Sequence, residues 1–145
     1  MTDYEFHEFL CYGEFEDVMD IARFNTVVSE IINTTGVHAE VYDGCGSIKF
    51  VLTNGDRLYI DNCENGVVIY LGRRYRKLIN KQLVKLLQAC DHRLCESADL
   101  HVGLSGENEI MYIVRIPARD MTAQNIFDKL QWLSGKHDRL EKETI

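Results

Sequence analysis

The sequence predicts an α+β fold of the order α-β(3-4)-α-β-β-α, a twisted antiparallel sheet with helices packed against it. Two observations carry this. The apolar period switches from 3.6 to 2 and back twice along the chain, and an Asn54-Gly55 dipeptide stands between two alternating runs. Helical segments set apart from consecutive strands, instead of alternating with them one by one, describe layered α+β architecture.

The first helix is expected over Asp17 to Asn33, with Val18, Ile21, Phe24, Val28, Ile31 and Ile32 on one face and acids in the first turn. Thr34-Thr35-Gly36 stops it. Val37, Ala39 and Val41 then alternate with His38, Glu40 and Tyr42, and after an Asp43-Gly44-Cys45-Gly46 turn Ile48, Phe50 and Leu52 alternate with Lys49, Val51 and Thr53. Asn54-Gly55 predicts a type I′ hairpin joining Ser47–Thr53 to Asp56–Asp61, because that turn needs positive φ at both central positions. A turn over Asn62 to Gly66 leads into a run with no polar face, Val67 to Leu71. Such a strand requires cover on both sides.

The period returns to 3.6 from Leu78 to Leu94. Strands follow at Leu100 to Leu104 and Glu109 to Ile116, separated by a turn at Ser105-Gly106-Glu107-Asn108. A closing helix is expected from about Met121 to Leu140, with Asp120 or Thr122 as N-cap. One proline, Pro117, and no Ser or Gly run leave no linker, so residues 1–145 read as one domain. Residues 1–14 form an acidic extension to it.

Composition narrows the function. The 145 residues suffice to bury roughly 70% of the unfolded chain's surface, so folding calls for neither metal nor disulfide. The net charge is −7, and Asp3, Glu5, Glu8, Glu14, Glu16, Asp17 and Asp20 all precede the first basic residue, Arg23. Phosphate backbones repel such a surface, which argues against nucleic acid as a partner. The opening "MTDYEFHEFL" has no basic region and no long apolar core, and no run of about 18 apolar residues occurs anywhere, so a cytosolic protein without membrane insertion is expected. Five cysteines, Cys11, Cys45, Cys63, Cys90 and Cys95, include no C-x-x-C pair, and the odd count predicts reduced thiols.

No catalytic or cofactor motif emerges. In "CDHRLC", Cys90 and His92 sit about 200° apart on a helix and cannot converge on one tetrahedral ion, so Cys90 reads as part of the apolar stripe with Leu83, Leu86, Leu87 and Leu94. His7, His38, His101 and His137 share no ligand spacing and are expected at exposed positions. Gly44-Cys45-Gly46 lacks the rest of a phosphate-binding fingerprint. The acid pairs Glu14/Glu16 and Glu107/Glu109 are expected to be solvated, not to serve as general acid and base. "GRRYRK", ending at Lys77, reads as a solvated strand-to-helix junction or as a contact for an acidic partner, such as the N-terminus of a second subunit.

Surplus apolar surface remains. Val84 and Cys95 widen the second helix's apolar arc beyond what packing on one sheet uses, and Phe127 and Trp132 project off the last helix's core stripe of Ile126, Leu130, Leu133 and Leu140. These aromatics read as edge packing or as anchors for a partner protein.

The helix "FEDVMDIARFNTVVSEIINTTG", the sheet from "VHAEVYDGCG" to "NGVVIYLG", the helix "KLINKQLVKLLQACDHRL", the pair "DLHVGLSGENEIMYIVRI" and the helix "TAQNIFDKLQWLSGKHDRL" together resemble a class I type III secretion chaperone of the Tir-chaperone type. The resemblance spans residues 15–140. It implies a homodimer in the bacterial cytosol, without cofactor or ATP hydrolysis, that holds the N-terminal chaperone-binding segment of one or more secreted effectors in extended form. By element position it places the dimer seam at Ile79, Leu83, Val84 and Leu87 with Ile110, Tyr112, Val114 and Ile116. It places effector-binding patches at Val27, Ile31, Phe50, Val51 and Tyr59, with Phe127 and Trp132 as further anchors. The alternative within the same fold is a regulatory protein that sequesters a transcriptional activator or another chaperone. An enzyme with a cleft of scattered residues is the third, and the missing motifs count against it.

Overall fold

The computed structural model describes residues 21–35, 39–42, 46–90, 100–106 and 108–143. Their elements are α1 (Ile21–Thr35), β1 (Ala39–Tyr42), β2 (Ser47–Val51), β3 (Arg57–Cys63), β4 (Gly66–Arg74), α2 (Asn80–Cys90), β5 (His101–Ser105), β6 (Glu109–Pro117) and α3 (Ala123–Glu141), with a 3₁₀ turn over Ala118–Asp120. The expected order of helix, three or four strands, helix, two strands, helix is therefore present, with four strands in the first run. Expectations for residues 17–20 and 91–94, and for the glycine loop through Cys45, fall outside the described residues.

All six strands form one antiparallel sheet in the order β1-β2-β3-β4-β6-β5. β4 lies at its centre, pairing with β3 from Arg57↔Gly72 to Cys63↔Gly66 and with β6 from Gly66↔Pro117 to Arg74↔Glu109. That central position is why its sequence is apolar on both faces. A Cβ at Gly66 would overlap the Ile116 carbonyl, so only glycine lets β4 approach β6 at this end.

The inner face carries the main core. Ile48 and Phe50, Leu58 and Ile60, Val67, Ile69 and Leu71, and Ile110, Tyr112, Val114 and Ile116 meet α1 through Phe24, Val27, Val28 and Ile31, and α3 through Ile126, Leu133 and Leu140. Ile21, expected on the α1 stripe, is instead 40% exposed. A smaller cluster of Cys63, Val68 and Ile113, with Tyr70 and Met111 half-buried against it, occupies the opposite face.

Two turns differ from expectation. The β2–β3 hairpin has a three-residue loop: Gly55 N–H donates to the Leu52 carbonyl (2.9 Å), Leu52 N–H donates to the Asp56 carbonyl (2.8 Å), and only Gly55 takes positive φ (+89°). Asn54 instead uses its side chain, whose Oδ1 accepts from Asp56 N–H at 2.9 Å, so the asparagine caps the turn without entering the left-handed region. The β3–β4 turn is tighter than predicted, because β3 runs on to Cys63 and leaves only Glu64 and Asn65 between the strands. At the start of α3, Thr122 is the N-cap, its Oγ1 accepting from Asn125 N–H at 3.1 Å.

Cys63 is disulfide-bonded, against the expectation of reduced thiols. The expectation for the other four falls on side chains outside the described ones.

Candidate protein-binding surfaces

The second helix turns the wrong face outward for a monomer. Among its described side chains, Gln82 and Leu86 are the buried ones, each 6% exposed. Gln82 fixes the rotation: its Oε1 accepts from Ile79 N–H at 3.0 Å, and its Nε2 donates to the Leu140 carbonyl at the end of α3, 3.1 Å away. One amide thereby satisfies an orphan donor at the start of α2 and adds a second donor to a carbonyl at the end of α3 that Glu143 N–H also bonds, at 3.1 Å. With 82 and 86 inward, helical geometry swings 83, 84 and 87 outward. Leu83, Val84 and Leu87 are 38%, 52% and 72% exposed, and Leu104 on the neighbouring β5 is 67% exposed. Burying such side chains fully is worth about 1.5–3 kcal/mol apiece, so the stripe favours a protein partner.

A second surface lies between α1, the sheet and α3. Ile31, Phe50, Leu52, Leu58, Ile126, Phe127 and Leu130 line an apolar pocket of about 70 Å³, close to the edge where β1 pairs with β2. Without polar groups to hold water, a pocket of this kind takes an apolar side chain. Across the molecule, a cleft of about 380 Å³ between α2 and α3 gathers Lys85, Lys136 and Arg139 over a floor of Tyr112 and Leu140. Its one carboxylate, Glu143, lies 3.5 Å from Lys81 and 3.9 Å from Lys85, an arrangement that neutralises charge and does not set up acid–base chemistry.

The basic junction is not solvated at its centre. Arg73 is 7% exposed and grips Asp56 with two bonds, Nε to Oδ1 at 2.9 Å and Nη2 to Oδ2 at 2.8 Å. Its Nη1 donates to Asp138 Oδ1 at 2.8 Å and lies 3.4 Å from Glu141. The bonds to Asp56 hold the guanidinium pKa above its ordinary range against the opposing effect of burial. The same guanidinium holds the Asp138 carboxyl below its usual value. Arg73 thus clamps the β2–β3 hairpin and the end of α3 to β4, while Arg74 is exposed beside Glu109 at 3.6 Å. Glu109 is itself buried and bonded to Arg57 at 3.0 Å, so the expectation of a solvated acid fails there; Glu107 lies outside the described residues.

His137 also departs from expectation, being fully buried. Its Nε2 donates to the Leu71 carbonyl (2.9 Å), which leaves Nδ1 to accept from the Tyr75 hydroxyl (2.7 Å). Its ring and that of Tyr112 pack in a T-shaped arrangement, 4.7 Å between centroids and 72° between planes. Burial lowers its pKa to about 4, partly offset by the bond to Leu71, and burial likewise pushes the Tyr75 phenol up.

The residues expected at binding sites scatter accordingly. Ile110, Tyr112, Val114 and Ile116 are at most 4% exposed and belong to their own chain's core, because β6 turns its even-numbered side chains toward the helices. Of the other residues expected at a seam, Leu83, Val84 and Leu87 are exposed and Ile79 is half-buried. Val27, Ile31 and Phe50 are core residues, although Ile31 and Phe50 floor the apolar pocket that Phe127 borders. Val51 and Tyr59 lie on the opposite sheet face, Tyr59 with the Lys49 ammonium 5.8 Å from its ring. Trp132 stands between Lys129 and Lys136, 5.1 and 4.6 Å from the ring centre. Leu52, Leu58, Ile126 and Leu130 complete the pocket without having been singled out for it; the i, i+4 spacing of Ile126 and Leu130 was the available signal.

Among the described residues no three His, Cys, Asp or Glu side chains are grouped to hold a metal, and no helix is long and apolar enough to cross a membrane. No family model and no curated protein matches the sequence. The fold does match solved structures. One is the Yersinia pestis type III secretion chaperone SycH in complex with a stable fragment of YscM2, similar with a TM-score of 0.60 at 12% identity over 81% of this chain and 98% of that one. Another is the HopA1-SchA chaperone–effector complex, with a TM-score of 0.56 at 18% identity over 81% of this chain and 96% of its counterpart. The α+β architecture described above is that of type III secretion chaperones.

Proposed function

We propose that this chain is a cytosolic bacterial type III secretion chaperone that dimerises and binds the N-terminal segment of a secreted effector in extended form, without catalysis. The observation that carries the reading is the apolar pocket between α1, the sheet and α3, set beside an edge strand in a fold whose solved relatives include a chaperone–effector complex. An extended client satisfies both features at once. Its backbone pairs with the open edge of β1, and an alternate side chain enters the pocket.

The α2 stripe serves a different partner, a second copy. Leu83, Val84 and Leu87, with Leu104 on the neighbouring β5, are exposed apolar side chains that a two-fold axis would bury against their copies. Separate surfaces for self and client let the dimer persist while clients come and go. The test is co-expression with the N-terminal segment of an effector encoded beside this chain's gene, followed by size-exclusion light scattering. The reading expects a mass of two copies plus one client segment. A monomer that retains its fold and captures no segment contradicts it.

A further inference from the structure

The chain carries a net charge of −7, yet the flank where α2 meets α3 is basic. The cleft of about 380 Å³ there is walled by Lys85 from α2 and by Lys136 and Arg139 from α3, over the floor of Tyr112 and Leu140. Among the described residues its lining holds one carboxylate, Glu143. Two further cations stand at its margins: Lys81, 3.5 Å from Glu143, and Lys129, which shares the Trp132 ring with Lys136. The acids at the same end of α3 are turned elsewhere, since Asp138 and Glu141 both lie against Arg73. A patch of one sign on a protein of the other sign draws in ligands that the rest of the surface repels or ignores.

We propose that this cleft binds an acidic peptide segment of a partner protein. Glu143 shows the chemistry that fits, because its carboxylate already sits 3.5 Å from Lys81 and 3.9 Å from Lys85 at the α2 wall. On the opposite wall Arg139 is exposed and forms no ion pair among the described residues, so its guanidinium fork is open to a second carboxylate. Lys129, Trp132, Lys136 and Arg139 follow one another on α3 within an arc of about 80° and over about 15 Å of helix axis, the reach of about five extended residues. Acids along such a segment meet the cations, and an apolar residue among them rests on Tyr112 and Leu140. A long nucleic acid is the poorer fit, because its phosphates meet the repulsion of the whole acidic chain. A free phosphate is too small to engage cations spread over that length.

The site is separate from both apolar surfaces. At 100° per residue Lys85 lies about 160° round α2 from Leu87, so a copy seated on the exposed leucine leaves the cleft accessible. On α3, the pocket residues Ile126, Phe127 and Leu130 centre about 150° from the face that carries Lys136 and Arg139. An occupant of the apolar pocket and an acidic segment in the cleft therefore do not compete, and the cleft is independent of the chaperone reading.

The test is fluorescence anisotropy of the full chain with a fluorescein-labelled peptide of about eight residues in which glutamate and alanine alternate. Binding at about 50 mM salt that weakens about tenfold or more by about 300 mM is expected, because the contacts are exposed charges. Arg139→Glu and, on the other wall, Lys85→Glu should each weaken the peptide about tenfold with an unchanged circular dichroism spectrum, since both side chains are exposed. Arg74→Glu makes the same change in net charge away from the cleft and should bind as the parent does. No binding by the parent at low salt overturns the proposal. So does equal weakening by all three variants, which would reduce the effect to net charge. A single-stranded oligonucleotide of equal charge, or inorganic phosphate, bound more tightly than the peptide overturns it as well.

Discussion

Acid should destabilise this fold through a single histidine well before the carboxylates protonate. His137 is buried neutral, its Nε2 proton held by the Leu71 carbonyl and its Nδ1 lone pair by the Tyr75 hydroxyl. Tyr112 on β6 and Tyr75 just past β4 face it, and the charged groups acting on it are Arg73 and Asp56 from the sheet side and Asp138 on its own helix. Burial, reinforced by the positive charge of Arg73, lowers its pKa from 6.5 to about 4. The unfolded chain therefore takes up a proton below pH 6.5 that the folded chain refuses until about pH 4. Stability is unaffected above that window, falls as pH drops through it, and levels off below it. At 1.36 kcal/mol per unit the loss amounts to about 3 kcal/mol, a large share of the 5–15 kcal/mol typical of a domain. Urea unfolding followed by circular dichroism at pH 7, 6, 5 and 4.5, at fixed protein concentration, measures it. A His137→Gln variant should start less stable at pH 7 and lose less over the same range. If parent and variant show the same slope, the buried histidine is not the acid-sensitive group.

Three further outcomes follow from the packing. Arg73→Met should cost about 3–5 kcal/mol in urea titrations, because it strands Asp56 in the interior, whereas Arg74→Met should cost little, as expected for an exposed pair. Leu87→Asp should yield a folded monomer by light scattering, with a circular dichroism spectrum like the parent's, since a residue 72% exposed contributes little to the monomer core. Phe127→Asp, at the border of the pocket, should weaken capture of a client segment in pull-downs and leave the dimer intact, while Ile31→Asp or Phe50→Asp should abolish folding itself.

Element order was legible because each segment's period agreed with its final environment. Asn54-Gly55 located the hairpin, though not its turn type, since the side chain of Asn54 could cap the loop without a positive φ. The sites were less legible. A helical stripe shows which residues are apolar but not how far the helix is rotated, and here one Gln82 amide sets the rotation that exposes Leu87. The β6 side chains Ile110 to Ile116 were assigned to a seam by element position in the resemblance alone, which does not say which face of the strand the helices take. His137 could have been read differently: it continues the spacing of Ile126, Leu130, Leu133 and Leu140 and so stands on the buried stripe. Arg73 gave no such hint, because its partners Asp56 and Asp138 lie 17 and 65 residues away.

The central claim is that a dimer of this chain orders an extended client by burying apolar side chains and pairing backbone. Calorimetry with an effector's N-terminal segment of about 50 to 100 residues, repeated across temperature and salt, tests that directly. The account predicts one segment per dimer, a large negative heat-capacity change and little dependence on ionic strength. Binding of a compact, already folded domain, with a small heat-capacity change and a steep salt dependence, would contradict it and favour a regulatory role for the same fold.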